Sequence, residues 1–110
     1  MPDGPKAHVQ VTRFEVSVLP QGDVNRRHFT LYVEWRGGGQ WAVSNGFHEC
    51  LSADGTWSYE SIPTERRDEW ITANRFSLST AVALAKEHAP LITVNGRTAL
   101  DAWRSSRPSA

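Results

Sequence analysis

The residues with the most chemical reach in this chain are His48 and Cys50, two positions apart, with Glu60 further along. A carboxylate beside an imidazole favours the protonated ring, and a cationic ring favours a neighbouring thiolate. The set could serve as an activated nucleophile or, joined by His28, as a metal site. Nucleophilic catalysis also needs an oxyanion site and a pocket, and His-x-Cys lacks the further Cys or His that metal-ligand spacing requires. The expectation is therefore no enzyme, no metal and no cofactor. Solvated surface is the plainer role for these side chains.

Whether they share a surface depends on the strands that carry them. From His28 to Arg36 the apolar residues Phe29, Leu31, Val33 and Trp35 alternate with Thr30, Tyr32 and Glu34. A period of two describes a strand with one dry face. Gly37, Gly38 and Gly39 follow. As a three-residue loop they pair Arg36 with Gln40 and Trp35 with Trp41, placing both indoles on the apolar face. Ser44-Asn45-Gly46 allows two registers. A two-residue Asn-Gly hairpin sets His48 and Cys50 on the apolar face, whereas a three-residue loop pairs Val43 with Phe47 and turns them to the other face, because a one-residue slip flips every side chain. The binary pattern favours the longer loop. Ala53-Asp54-Gly55 then pairs Leu51 with Trp57 and Glu49 with Tyr59. Of the residues this assigns to the dry side, Glu49 alone is charged. The opposite face reads as one row of Glu34, Ala42, His48 and Glu60, a second of Arg36, Gln40, Cys50 and Ser58, and Tyr32 beside Ser44.

Upstream, Val9 and Val11 are out of phase with Phe14, Val16 and Val18, which predicts a bulge near Thr12 and Arg13. That makes five strands through Glu60. After Ile62-Pro63 the period becomes helical. Thr64 caps a first helix with Trp70 and Ile71 on its seam and Asn74 as a left-handed stop. Ser77 caps a second, in which Leu78, Ala81, Val82, Ala85 and Ala89 recur until Pro90. Leu91–Val94 reads as a short strand, Asn95-Gly96 as a turn, and Thr98 with Asp101 as a capping box opening a last helix through Trp103. The expected class is α+β: a five-stranded antiparallel meander, two to three helices packed on its tryptophan face, and a short additional C-terminal strand. Residues 1–7 and 104–110 read as flexible tails around one domain, 8–103.

The chain has 110 residues, formal charge zero and a pI near 6.9. It suits one domain with no global field to steer it to nucleic acid or an anionic membrane. A single cysteine excludes an internal disulfide and suits a reducing compartment. No apolar run has the length of a membrane span, and residues 1–6 lack the apolar core of a secretory signal, so a cytoplasmic location without membrane contact is expected. With both helices over the dry face, the polar face stays open. It is the predicted contact surface of a non-enzymatic interaction module, through Tyr32, Glu34, Arg36, Gln40, His48 and Glu60, with a protein as first choice of partner. The alternative is a nucleic-acid-binding domain that uses Arg26, Arg27 and Arg36 with Tyr32 as a stacking platform.

The run Trp41-Ala42-Val43, then Cys50-Leu51, Asp54-Gly55-x-Trp57-x-Tyr59-Glu60, Pro63-x-x-Arg66 and Trp70, followed by Ala89-Pro90 and Val94-Asn95-Gly96-x-Thr98-Ala99, resembles small uncharacterised proteins encoded by actinobacteria and their phages. The likeness covers most of the chain after Tyr32 and brings no catalytic residue with it. It implies a small intracellular accessory protein of phage or mobile-element origin, and favours a protein partner over metabolic catalysis.

Overall fold

The alternation around Leu31 and Val33 does form the central strand of an antiparallel sheet. In the computed structural model, which describes residues 4–106, five strands lie in sequence order: β1 (Arg13–Val16), β2 (Leu31–Gly37), β3 (Gln40–Ser44), β4 (Glu49–Leu51) and β5 (Trp57–Tyr59). Three helices follow, α1 (Asp68–Ala73), α2 (Leu78–His88) and α3 (Ala99–Ser106), and a two-stranded hairpin of β6 (Thr93–Val94) and β7 (Arg97–Thr98) lies between the last two. The class is α+β. The expected tails at 1–3 and 107–110 lie outside the described residues, and α3 extends past position 103 to Ser106.

Three registers were open to test. At the glycine triplet Val33 faces Val43 and Trp35 faces Trp41, as expected, but Gly37 pairs with Gln40 and Arg36 becomes the extra residue of a bulge. Gly38 and Gly39 both have positive φ, 58° and 73°, which suits a two-residue turn matched to the strand twist. β4 and β5 pair as expected, Glu49 with Tyr59 and Leu51 with Trp57. Between β3 and β4 the partner of Cys50 is Ser44. The predicted partner was Gln40. The displacement is by an even number of positions, so Cys50 keeps its face while the predicted rows break between β3 and β4; Glu34 still faces Ala42, and Cys50 still faces Ser58. His48 has no partner on β3 and lies in the loop, although its carbonyl still bonds the Glu60 N–H.

At the N-terminal edge only Arg13–Val16 forms a strand, with Phe14 opposite Val33 and Val16 opposite Leu31. Val9 and Val11, expected in the same strand, are exposed. Phe29 also departs from expectation. A 3-10 turn over Arg26–Phe29 precedes β2, and Phe29 packs with Leu19, Ala99 and Ala102 in a second core beside α3.

The main core is the dry sheet face. Leu31, Val33, Trp41, Val43 and Leu51 meet Ala81 and Ala85 of α2. Alanine at these contacts lets the helix lie close to the sheet, and a larger side chain would cost about 1–3 kcal/mol by overpacking. Ser77 caps α2, its hydroxyl accepting from the Thr80 N–H at 3.3 Å. The Thr98–Asp101 capping box forms, with reciprocal bonds of 3.1 and 3.2 Å. Asn74 stops α1, but at φ −120° rather than in the left-handed region; its carboxamide donates to the Trp70 carbonyl at 2.9 Å and satisfies the last turn directly.

α1 lies on the other side of the sheet from α2. The Trp70 indole donates to the Ser58 hydroxyl at 2.9 Å, and Ser58 faces Cys50, opposite in sense to the core residue Leu51. The chain then crosses back at Phe76, whose N–H and C=O both pair with those of Trp41 at 2.9 and 2.8 Å. Phe76 thus takes the place beside Trp41 that the short β4 leaves empty. From there α2 runs over the dry face. Among the described residues no helix is long and apolar enough to cross a membrane.

Candidate functional site

The polar side of the sheet is largely closed. Ala42, Ser44 and Cys50 are buried on it, beneath a cover supplied by α1 and the residues around it. Glu60 is the hub of that cover. Arg36 chelates its carboxylate through Nε at 3.0 Å and Nη2 at 2.7 Å, Arg75 donates at 2.5 Å, and Arg66 approaches to 3.6 Å. The Arg75 side chain is 4% exposed and that of Glu60 10%. Burial pushes the Glu60 carboxyl up, but the hydrogen bonds and charge of Arg36, then of Arg75, outweigh it and leave the carboxyl at about 2. The same hydrogen bond to Glu60 raises Arg36 above its ordinary value. Cys50 sits under this cluster. Burial first, then the Glu60 charge, pushes its thiol up to about 11, which removes thiolate character at neutral pH.

The six residues predicted to form one open surface are therefore dispersed. Glu60 and Arg36 hold each other in the cover. Tyr32 and Glu34 are half-buried, and the Arg13 guanidinium lies 3.9 Å above the Tyr32 ring. Gln40 is exposed at the glycine turn. His48 is exposed in the β3–β4 loop, away from the row with Ala42 where it was expected. The candidate nucleic-acid residues are not gathered either. Arg26 donates to the Leu19 carbonyl at 2.5 Å and pairs with Glu15 at 3.5 Å, while Arg36 is bound to Glu60. Arg27 is the exposed member of the set, with its Nε on His28 Nε2 at 3.3 Å. Among the described residues no three His, Cys, Asp or Glu side chains are grouped to hold a metal ion.

Access lies on the opposite side. Where α2 ends, the dry sheet face continues past it, and a cleft of about 480 Å³ separates that face from residues 91–94. Leu31, Trp57 and Ile92 give it apolar lining, and Phe47 and Leu91 stand at its rim, 80% and 63% exposed. Arg27, His28, Asn45 and Glu49 contribute its polar groups. A smaller cleft of about 360 Å³ adjoins it, sharing His28 and Val94 and reaching Arg97.

The loop that carries Phe47 is tied down by its own side chains. Ser44 Oγ accepts from the Gly46 N–H at 3.0 Å, Asn45 Oδ1 accepts from the Phe47 N–H at 2.8 Å, and Asn45 Nδ2 donates to Glu49 Oε1 at 2.7 Å. Gly46 is required there. Its φ is +84°, and a Cβ would lie 3.1 Å from the Tyr32 ring. His48 adopts φ 63°, a conformation uncommon outside glycine and costly for an ordinary side chain, and its carbonyl accepts the Glu60 N–H at 2.7 Å. The result is a large aromatic side chain held in water by a pre-organised loop. One signal in the sequence pointed here: Glu49, the single charge on the dry face, is the residue that borders the cleft. No family model, no curated protein and no solved structure matches this chain.

Proposed function

We propose that this protein is a non-enzymatic interaction module that binds a protein partner at the cleft between the dry sheet face and residues 91–94. The partner inserts one bulky apolar side chain between Phe47 and Leu91, with Arg27 and Glu49 available for polar contacts at the edge. The observation that carries this reading is the exposure of Phe47 and Leu91 at the rim of a cleft that also offers convergent polar groups. Clustered exposed apolar groups mark contact sites, and pre-organised aromatic anchors supply most of the affinity in such interfaces. A pinned loop also lowers the ordering cost of binding.

The non-enzymatic part is supported by the separation of the two reactive side chains. Cys50 is fully buried with a raised pKa, whereas His48 is exposed on the loop. A nucleic-acid reading through Arg26, Arg27, Arg36 and Tyr32 is disfavoured, because two of those guanidiniums are held by carboxylates and the ring is covered by Arg13. The resemblance to small actinobacterial and phage proteins favours the same accessory, partner-binding role.

Selection of a displayed random-peptide library on the wild-type protein tests the proposal. The expected result is a consensus containing a bulky apolar residue. Phe47→Asp and Leu91→Glu each weaken the selected peptide by about tenfold or more, while Gln40→Ala leaves it unchanged. Peptides that bind both cleft variants as tightly as wild type would sink the assignment.

A further inference from the structure

We infer that the outer edge of β1 is a homodimer contact, in which two copies pair antiparallel about a twofold axis through Phe14 and join their sheets. The backbone determines which residues face outward. Trp35 N–H donates to the Thr12 carbonyl at 2.8 Å, and the same register places Phe14 opposite Val33. Thr12, Phe14 and Val16 therefore turn their peptide groups toward β2, and Arg13 and Glu15 turn theirs away from it. β1 is an edge strand, and among the described residues no backbone hydrogen bond reaches its outer side. Open edges of this kind pair with other strands unless something blocks them. β1 holds no proline, and Arg13 and Glu15 are more than half exposed, at 54% and 58% of their side chains.

Charge selects both the occupant and the register. A twofold antiparallel contact using the outward peptide groups can be centred on Arg13, on Phe14 or on Glu15. The first sets Arg13 against the partner's Arg13, and the last sets Glu15 against the partner's Glu15. Only the contact centred on Phe14 opposes Arg13 to the partner's Glu15, and it does so twice. Each row then alternates in sign, from Glu34 to Arg13, which lie 3.6 Å apart, and on to the partner's Glu15. On the other side of the strand Phe14, 38% exposed and tilted against Trp41 at 5.7 Å, meets the partner's Phe14 in the closely spaced kind of pair. Val11, 58% exposed just before the strand, lies within the same contact. A second copy fits this edge because the edge is complementary to itself. The contact uses none of the residues of the cleft and stands or falls independently of it.

Sedimentation velocity over a range of concentrations tests the inference. Wild type is expected to show a concentration-dependent dimer. Arg13→Glu and Glu15→Arg each raise its dissociation constant by about tenfold or more, since two attractive pairs become repulsive. Mixing the two variants restores a dimer, as does combining both changes in one chain. Circular dichroism checks that each variant is folded, and where a single reversal unfolds the chain the folded double variant decides. Wild type that stays monomeric, a dimer indifferent to both reversals, or a folded double variant that stays monomeric would overturn the contact.

Discussion

The polar face of the sheet is the one the chain covers itself, with Trp70 on Ser58 and three arginines around Glu60, whereas the apolar face keeps a gap where Phe47 and Leu91 stand in solvent. Polarity and access thus run opposite to the usual expectation for an antiparallel sheet with one solvated side. The difference lies in what each cover offers. A cover over polar residues must satisfy them, so α1 and its flanks bring an indole N–H and guanidinium forks that fit hydroxyl and carboxylate partners. A cover over apolar residues needs only shape, and α2, eleven residues long, ends before the sheet face does. What it leaves uncovered is the cleft.

The sharpest way to break this comparison is to remove the hub. Glu60→Ala leaves the buried Arg75 without a carboxylate partner and Arg36 with only its 3.6 Å contact to Glu34, and should cost about 3–5 kcal/mol in denaturant unfolding. Phe47→Ser, at the open face, should change stability by less than about 0.5 kcal/mol. Equal losses at the two sites would show that the polar cover is not held by Glu60.

Acid separates the faces by the same logic. The folded-state carboxyl of Glu60 titrates at about 2, below the ordinary 4.5. Its contribution is therefore fully present above pH 4.5 and is lost as the pH falls toward 2. Urea midpoints measured down this window should decline, and Glu60→Gln should remove that part of the decline. An undiminished slope in the variant would assign the acid sensitivity to other carboxylates.

A modest gain is expected in the loop at the open face. His48→Gly relieves the positive φ and should add about 0.5–1 kcal/mol to stability, visible as a raised thermal midpoint. A loss would mean that the imidazole makes a stabilising contact greater than the strain.

Much of the architecture could be read before any coordinates. Period-two alternation located β2 and β3, the helical spacing of small residues located α2 with Ser77 as its cap, and the turn at Ala53-Asp54-Gly55 set the β4–β5 register correctly. These are local properties: a strand's dry face, a cap and a short turn depend on neighbours within a few residues. The candidate surface depended on more. It required knowing what lay over each face, and α1 has too few residues and too weak a stripe to declare its side. Glu49 showed where the dry face was interrupted, but an isolated acid on a strand does not reveal a cavity beside it.

From its residues alone this chain was committed to an α+β fold, to the face on which each strand residue falls, and to the partners across two of its turns, because parity and turn chemistry act over short stretches. Tertiary structure alone decided that Glu60 would gather Arg36, Arg66 and Arg75, that Phe76 would carry the chain from one side of the sheet to the other, and that Phe47 would remain in water. Those outcomes join residues far apart in sequence, and only the completed packing of the helical segments against the two faces selects them.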